Sequence, residues 1–173
     1  MTGNTLFDAC RMFKHACAFV GCAQFCEKEP WHIEKRLPDY TVADIVNSAF
    51  ACEVFIKALL LYNGKTIDEI KNAKHGIEGL WLFLKTVNPM LSTDIETRVI
   101  NIFHSAGPDF FNTAMSTISD AFVTWRYIYE SHGATIQINF LRIFREVVRE
   151  VCCETLYHMT WDEYTRGTEQ CQN

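Results

Sequence analysis

Near the end of the chain, 121-AFVTWRYIYESHG-133 sets Arg126 and His132 six positions apart. One is an always-charged guanidinium; the other is an imidazole able to exchange a proton near neutral pH. His132 reads as the last helical residue before Gly133, where the negative end of the helix dipole favours the protonated ring. On a straight helix, six residues carry the two side chains about 240° apart. They converge only if the helix end unwinds at His132 or a second copy of the helix supplies the partner.

Other groupings offer less. Glu53 and Lys57 stand at i,i+4 in the favourable order on an otherwise apolar stretch. They read either as an exposed ion pair or as the lining of an interior cleft or subunit seam. Cys22 and Cys26 could share a helix face, with His15 or His32 as further metal ligands, but the eight cysteines show no paired C-x-x-C knuckles. Reduced thiols packed as small hydrophobes are the expectation, with no metal and no cofactor. Arg142, Arg145 and Arg149 fall within about 60° of one another on a C-terminal helix and could touch phosphates. Glu146, Glu150 and Glu154 lie beside them, so the expectation is a solvated face. Phosphate-loop, dinucleotide-binding, nucleophile-elbow and H-E-x-x-H signatures are all absent from the sequence.

The elements that must position these residues are helices. The chain has 173 residues, 49% of them hydrophobic, and a net charge of −5, which suits one folded domain spanning residues 1–173 and offers nucleic acid no overall attraction. Eight glycines and four prolines leave little turn chemistry for a many-stranded fold, and apolar residues recur at helical spacing. Six helices are expected: 5–27, about 41–62, 76–87, 92–104 with Ser92 as cap, 109–132, and 137–159, followed by a polar tail over 160–173. The second, apolar on most of its circumference, should be central. No apolar run is read as approaching the ~18 residues of a membrane span, and a cytoplasmic location is expected. Phe111, Ile118, Trp125 and His132 recur at intervals of seven, a stripe expected to face a partner, with Phe110, Met115 and Phe122 widening it.

Taken together, 48-SAFACEVFIKALLLYNG-64, 74-KHGIEGLWLFL-84 and 125-WRYIYESH-132 resemble the HEPN superfamily (higher eukaryotes and prokaryotes nucleotide-binding domain) over roughly residues 41–135. Arg126-x5-His132 matches that superfamily's late Arg-x4–6-His motif. The resemblance implies an all-α, up-and-down bundle that dimerises and joins two copies of the motif in one cleft. It implies a metal-independent endoribonuclease of phage-defence or toxin–antitoxin settings, in which the RNA's own 2′-hydroxyl attacks the scissile phosphodiester. Arg126 would then neutralise the phosphate and His132 would move a proton. Glu53, Lys57, Tyr127, Tyr129 and Glu130 would line the cleft. The implied partners are RNA, a second copy and an antitoxin or defence protein, with no membrane.

Tyr127 departs from the small polar residue that nuclease members place after the motif Arg, and the aromatic run also resembles members not known to cleave RNA. The alternative reading is therefore a non-catalytic helical dimer that binds a nucleotide or partner protein. In it, Arg126 pairs with Glu130 and packs on Trp125 or Tyr129, and His132 caps its helix. A metal-binding bundle would need paired Glu-x-x-His motifs, which the sequence lacks.

Overall fold

A computed structural model of the chain describes residues 3–28, 39–73, 76–104, 108–130 and 135–170. These residues are helical throughout their regular structure, with no strand among them.

Helix α2 (Asp39–Tyr62) is the central element. Ile45, Ala49, Cys52, Phe55, Ile56, Leu59 and Leu60 are all buried. By length and composition Tyr40–Tyr62 would suffice to cross a bilayer, contrary to the expectation, but most of that stretch is buried inside the bundle. Helix α1 (Gly3–Lys28) lies along it, with Ala9, Phe13, Ala16, Val20 and Ala23 buried. Phe13 packs on Phe55 and Phe19 on Phe50, so α1 and α2 run antiparallel. The small alanines on the buried stripe let the two backbones approach closely, as ridges-into-grooves packing requires.

Helix α8 (Ile138–Tyr157) completes the inner layer. Arg142 meets Asp44, Arg145 meets Ser48, and Cys152 lies against the Phe55 carbonyl, so α8 runs parallel to α2. The connection between those helices carries the rest. Helix α3 (Ile67–Asn72), which the sequence reading left out, begins at a capping box in which Thr66 and Glu69 bond each other's backbone N–H. Helices α4 (Ile77–Val87) and α5 (Pro89–Ile102) share Asn88, which ends one and caps the other. Pro89, expected only as a stop, sits at the first position of α5, where its missing N–H costs nothing. Ser92 is therefore not the cap but a buried residue inside the helix.

The long helix expected over 109–132 is not continuous. It divides into α6 (Pro108–Ile118), α7 (Ala121–Arg126) and a 3₁₀ turn over Ile128–Glu130. The break has an identifiable cause. The Ile77 N–H donates to the Ser119 carbonyl at 2.8 Å, taking an acceptor that a continuous helix would use itself. The stripe drawn along that helix is consumed inside this chain: Phe111, Met115 and Ile118 are buried, and Phe111 packs on Trp81, Phe140 and Phe144. These residues do not face a partner.

The expected polar tail is also a helix, α9 (Trp161–Gln170). Thr160 and Glu163 form a second reciprocal cap, with the Thr160 N–H donating to Glu163 at 2.8 Å. Its inner face packs Trp161 and Tyr164 edge-on against Phe13, and Tyr164 at a tilt against Tyr157.

Candidate functional site

Arg126 closes α7 with its side chain exposed. Its guanidinium lies 5.0 Å from the Phe122 ring centroid and 4.6 Å from that of Tyr127, and one amino group donates to the Tyr127 hydroxyl at 2.9 Å. Phe122 is in turn fixed by stacking on Phe50 of α2 at 4.8 Å. A planar cation is thus held against two rings, which costs it little rotamer freedom and leaves its charge open to solvent.

The pairing with Glu130 does not form: among the described residues Arg126 has no ion pair, and Glu130 is exposed. Immediately after Arg126 the backbone leaves the α conformation at Tyr127 and tightens into the 3₁₀ turn, where the Glu130 N–H donates to the Tyr127 carbonyl. The unwinding on which convergence with His132 depended thus begins at Tyr127, earlier than expected. His132 itself lies outside the described residues, as does the side chain of Tyr129. Tyr127, just past the end of α7, is 41% exposed and Val123, on α7, 54%.

Glu53 and Lys57 bond at 2.5 Å on α2, their side chains 15% and 26% exposed. At 100° per residue they continue the α2 face that carries Phe50, on which Phe122 stacks. Among the described residues neither touches Arg126. Cys22 is exposed and Cys26 half-buried, and His32 lies outside the described residues. Among the described residues no group of three or more histidine, cysteine, aspartate or glutamate side chains is arranged to hold a metal ion. A hollow of about 580 Å³ between α3 and α4 is lined by Glu69, Asn72, Ala73, Gly79, Leu82 and Phe83.

The arginine face of α8 is not solvated. Arg145 is 2% exposed and donates to Glu27 at 2.7 Å, Ser48 at 2.7 Å and Glu146 at 2.6 Å. Burial works against its charge, but the carboxylates of Glu146 and Glu27 outweigh it and hold the guanidinium protonated. Arg142 donates to Asp44, itself 1% exposed, at 2.6 Å. Arg149 pairs with Glu146 and stacks over Trp161 at 4.4 Å. Three cations (Arg142, Arg145, Arg149) meet three carboxylates (Glu27, Asp44, Glu146), so the cluster is neutral and joins α1, α2 and α8. It offers no surplus charge to an anion, and of its members only the Arg149 Nε–H is buried without an acceptor among the described residues, so it reads as a packing device. The sequence signal was present in Asp44 and Ser48, two polar residues one turn apart on an apolar helix.

The chain matches no protein-family model, no curated protein and no solved structure.

Proposed function

We propose that the chain is a HEPN-like, metal-independent endoribonuclease that works as a homodimer in phage defence or a toxin–antitoxin pair. The observation that carries this reading is Arg126: an exposed guanidinium without a carboxylate partner among the described residues, held against Phe122 and Tyr127 where the helix unwinds. A cation so held is preorganised to meet the negative charge that gathers on a phosphodiester under attack, at little cost in rearrangement. His132 follows within six residues and supplies the proton exchange that 2′-hydroxyl attack requires. Since Phe111 and Ile118 serve the chain's own core, the two-fold contact in this reading runs through the exposed end of α7, at Val123 and Tyr127.

A second reading is favoured by one contact. The Tyr127 hydroxyl accepts from Arg126, so part of the guanidinium's bonding capacity is met within the chain, as in a non-catalytic module that binds a nucleotide or partner protein. Incubating the purified protein with mixed RNA in EDTA separates the two. Cleavage leaving 2′,3′-cyclic phosphate and 5′-hydroxyl ends, lost in both Arg126→Ala and His132→Ala, supports the nuclease. Cleavage that survives either substitution removes this site from the chemistry. Light scattering tests the dimer: a strict monomer at micromolar concentration would leave the composite cleft without a partner.

A further inference from the structure

Helices α1 and α8 pack antiparallel, and two contacts fix their register. The Phe13 ring lies 5.4 Å from that of Tyr157, and the Gln24 amide donates to Glu146 at 3.2 Å. These contacts are eleven positions apart on each helix, counted in opposite directions. Four positions inward from Phe13 is Cys17; four positions inward from Tyr157 is Cys153. Steps of four and eleven residues return to nearly the same helix face, so the two cysteines fall on one rung of this interface.

We propose that Cys17 and Cys153 form a redox-sensitive dithiol, which a peroxide-class oxidant closes into a disulfide joining α1 to α8. The register favours Cys153 over the other cysteines. Cys152 approaches the Phe55 carbonyl of α2 at 4.0 Å, although the charges of Cys17 and Cys10 on α1 also reach it, so a Cys17–Cys152 link is the rival result that would overturn this pairing. Cys10 lies two turns along α1 from Cys17, too far along one helix axis for an S–S bond. Arg149, four residues before Cys153 on α8, brings a cation to the same rung: its charge acts on both thiols and favours their ionised forms. Burial outweighs it, pushing Cys17 up to about 12 and Cys153 up to about 11, and each thiol feels the other charges around it, Cys17 that of Cys153 among them. Both are therefore protonated at neutral pH, which slows their oxidation, so closure requires sustained exposure to the oxidant.

Cys17 is half-buried and Cys153 buried, so Cys17 is the sulfur a small oxidant reaches first. The Cys17 thiol gives up its proton as its sulfur attacks one oxygen of hydrogen peroxide, breaking the O–O bond; the departing hydroxide takes up that proton and leaves as water, and Cys17 becomes a sulfenic acid. The Cys153 sulfur then attacks the Cys17 sulfur, breaking its S–O bond. The hydroxide expelled takes the Cys153 proton and leaves as a second water. Two thiols and one peroxide thus give one disulfide and two waters, the thiols oxidised and the peroxide reduced.

The test is a peptide map of the whole wild-type protein after hydrogen peroxide, alkylation and digestion without reductant. The expected result is one dominant linked pair joining the Cys17 and Cys153 peptides, absent from a sample kept in dithiothreitol. The link should persist in Cys10→Ser and Cys152→Ser and vanish in Cys17→Ser and Cys153→Ser. Recovery of Cys17 and Cys153 as separate thiols or sulfonic acids from protein that remains helical by circular dichroism overturns the proposal, as does a dominant link between another pair. If a serine variant fails to fold, the wild-type map decides alone. The same oxidation in guanidinium should scatter the links; an equal yield of the Cys17–Cys153 pair there would trace it to chain reactivity rather than to the fold, and would also overturn the proposal.

Discussion

The backbone N–H of Ile77 donates to the carbonyl of Ser119 across 2.8 Å, tying the start of α4 to the gap between α6 and α7. The approach is close enough to dictate the residue before it. Gly76 adopts φ of +108°, and a Cβ there would stand 2.9 Å from the Ser119 carbonyl oxygen.

Gly76→Ala should therefore lower stability by about 1–3 kcal/mol, the usual cost of a side chain forced into such backbone. Gly21, inside α1 with open space where a Cβ would go, is the control. Gly21→Ala should raise stability by about 0.5–1 kcal/mol. Urea denaturation of the two variants checks both signs, and a neutral Gly76→Ala would detach the break in the helix from this contact.

Arg145→Ala should cost about 3–5 kcal/mol, because it empties a buried position and removes the donor that the buried Ser48 hydroxyl shares with the half-buried carboxylates of Glu27 and Glu146. Arg142→Ala should cost less, since that side chain is 33% exposed and the buried Asp44 carboxylate keeps the Ser48 hydroxyl and, at 3.6 Å, the Arg145 guanidinium. Denaturant midpoints measured side by side give the order; equal small losses would return the arginines to a solvated face.

Why the sequence misled here is physical. Arg145, Glu146 and Arg149 have the composition of an exposed face, and only the second helix shows otherwise: Asp44 and Ser48 supply the acceptors. Partner choice between helices is a tertiary fact that one-helix periodicity does not carry. The central position of α2 was legible because its apolar residues cover most of its circumference. Both missed helices had local signals, Thr66-x-x-Glu69 and Thr160-x-x-Glu163. The division between α6 and α7 had none, since Ser119 gives up its carbonyl to a residue 42 positions earlier. Of the candidate site, the separation of Arg126 from Glu130 turns on Tyr127, whose ring and hydroxyl both take the guanidinium.

The Glu69 carboxylate is held down to about 2 by the Thr66 backbone N–H and hydroxyl, with Lys65 adding to them, against an ordinary 4.5. A depressed folded value contributes stability above the unfolded value and loses it as pH falls from about 4.5 through about 2. A nuclear magnetic resonance titration should show Glu69 titrating late, and Thr66→Ala should move it back towards 4.5. A Glu69 that titrates normally in the wild type would mean the cap does not form.

Arg126→Ala should change stability by no more than about 0.5 kcal/mol, because the side chain is exposed and its contacts are ring faces rather than buried partners. Thermal melts beside the RNA digestion make the comparison. A large drop in melting temperature would mark Arg126 as part of the scaffold, and its loss of activity would then say nothing of chemistry.

The neutral cluster between α1, α2 and α8 sets the order in which the chain can mature. Helices α1 and α2 are neighbours in sequence and can pair as soon as both exist, but Asp44 then lies against a half-built interface with its cations still absent. Those cations, Arg142 and Arg145, arrive about a hundred residues later. On the ribosome, an α1–α2 hairpin therefore waits with an unneutralised carboxylate and an apolar flank exposed. Closure of the bundle is a late, long-range event, and the interval before it is when the nascent chain most needs shielding.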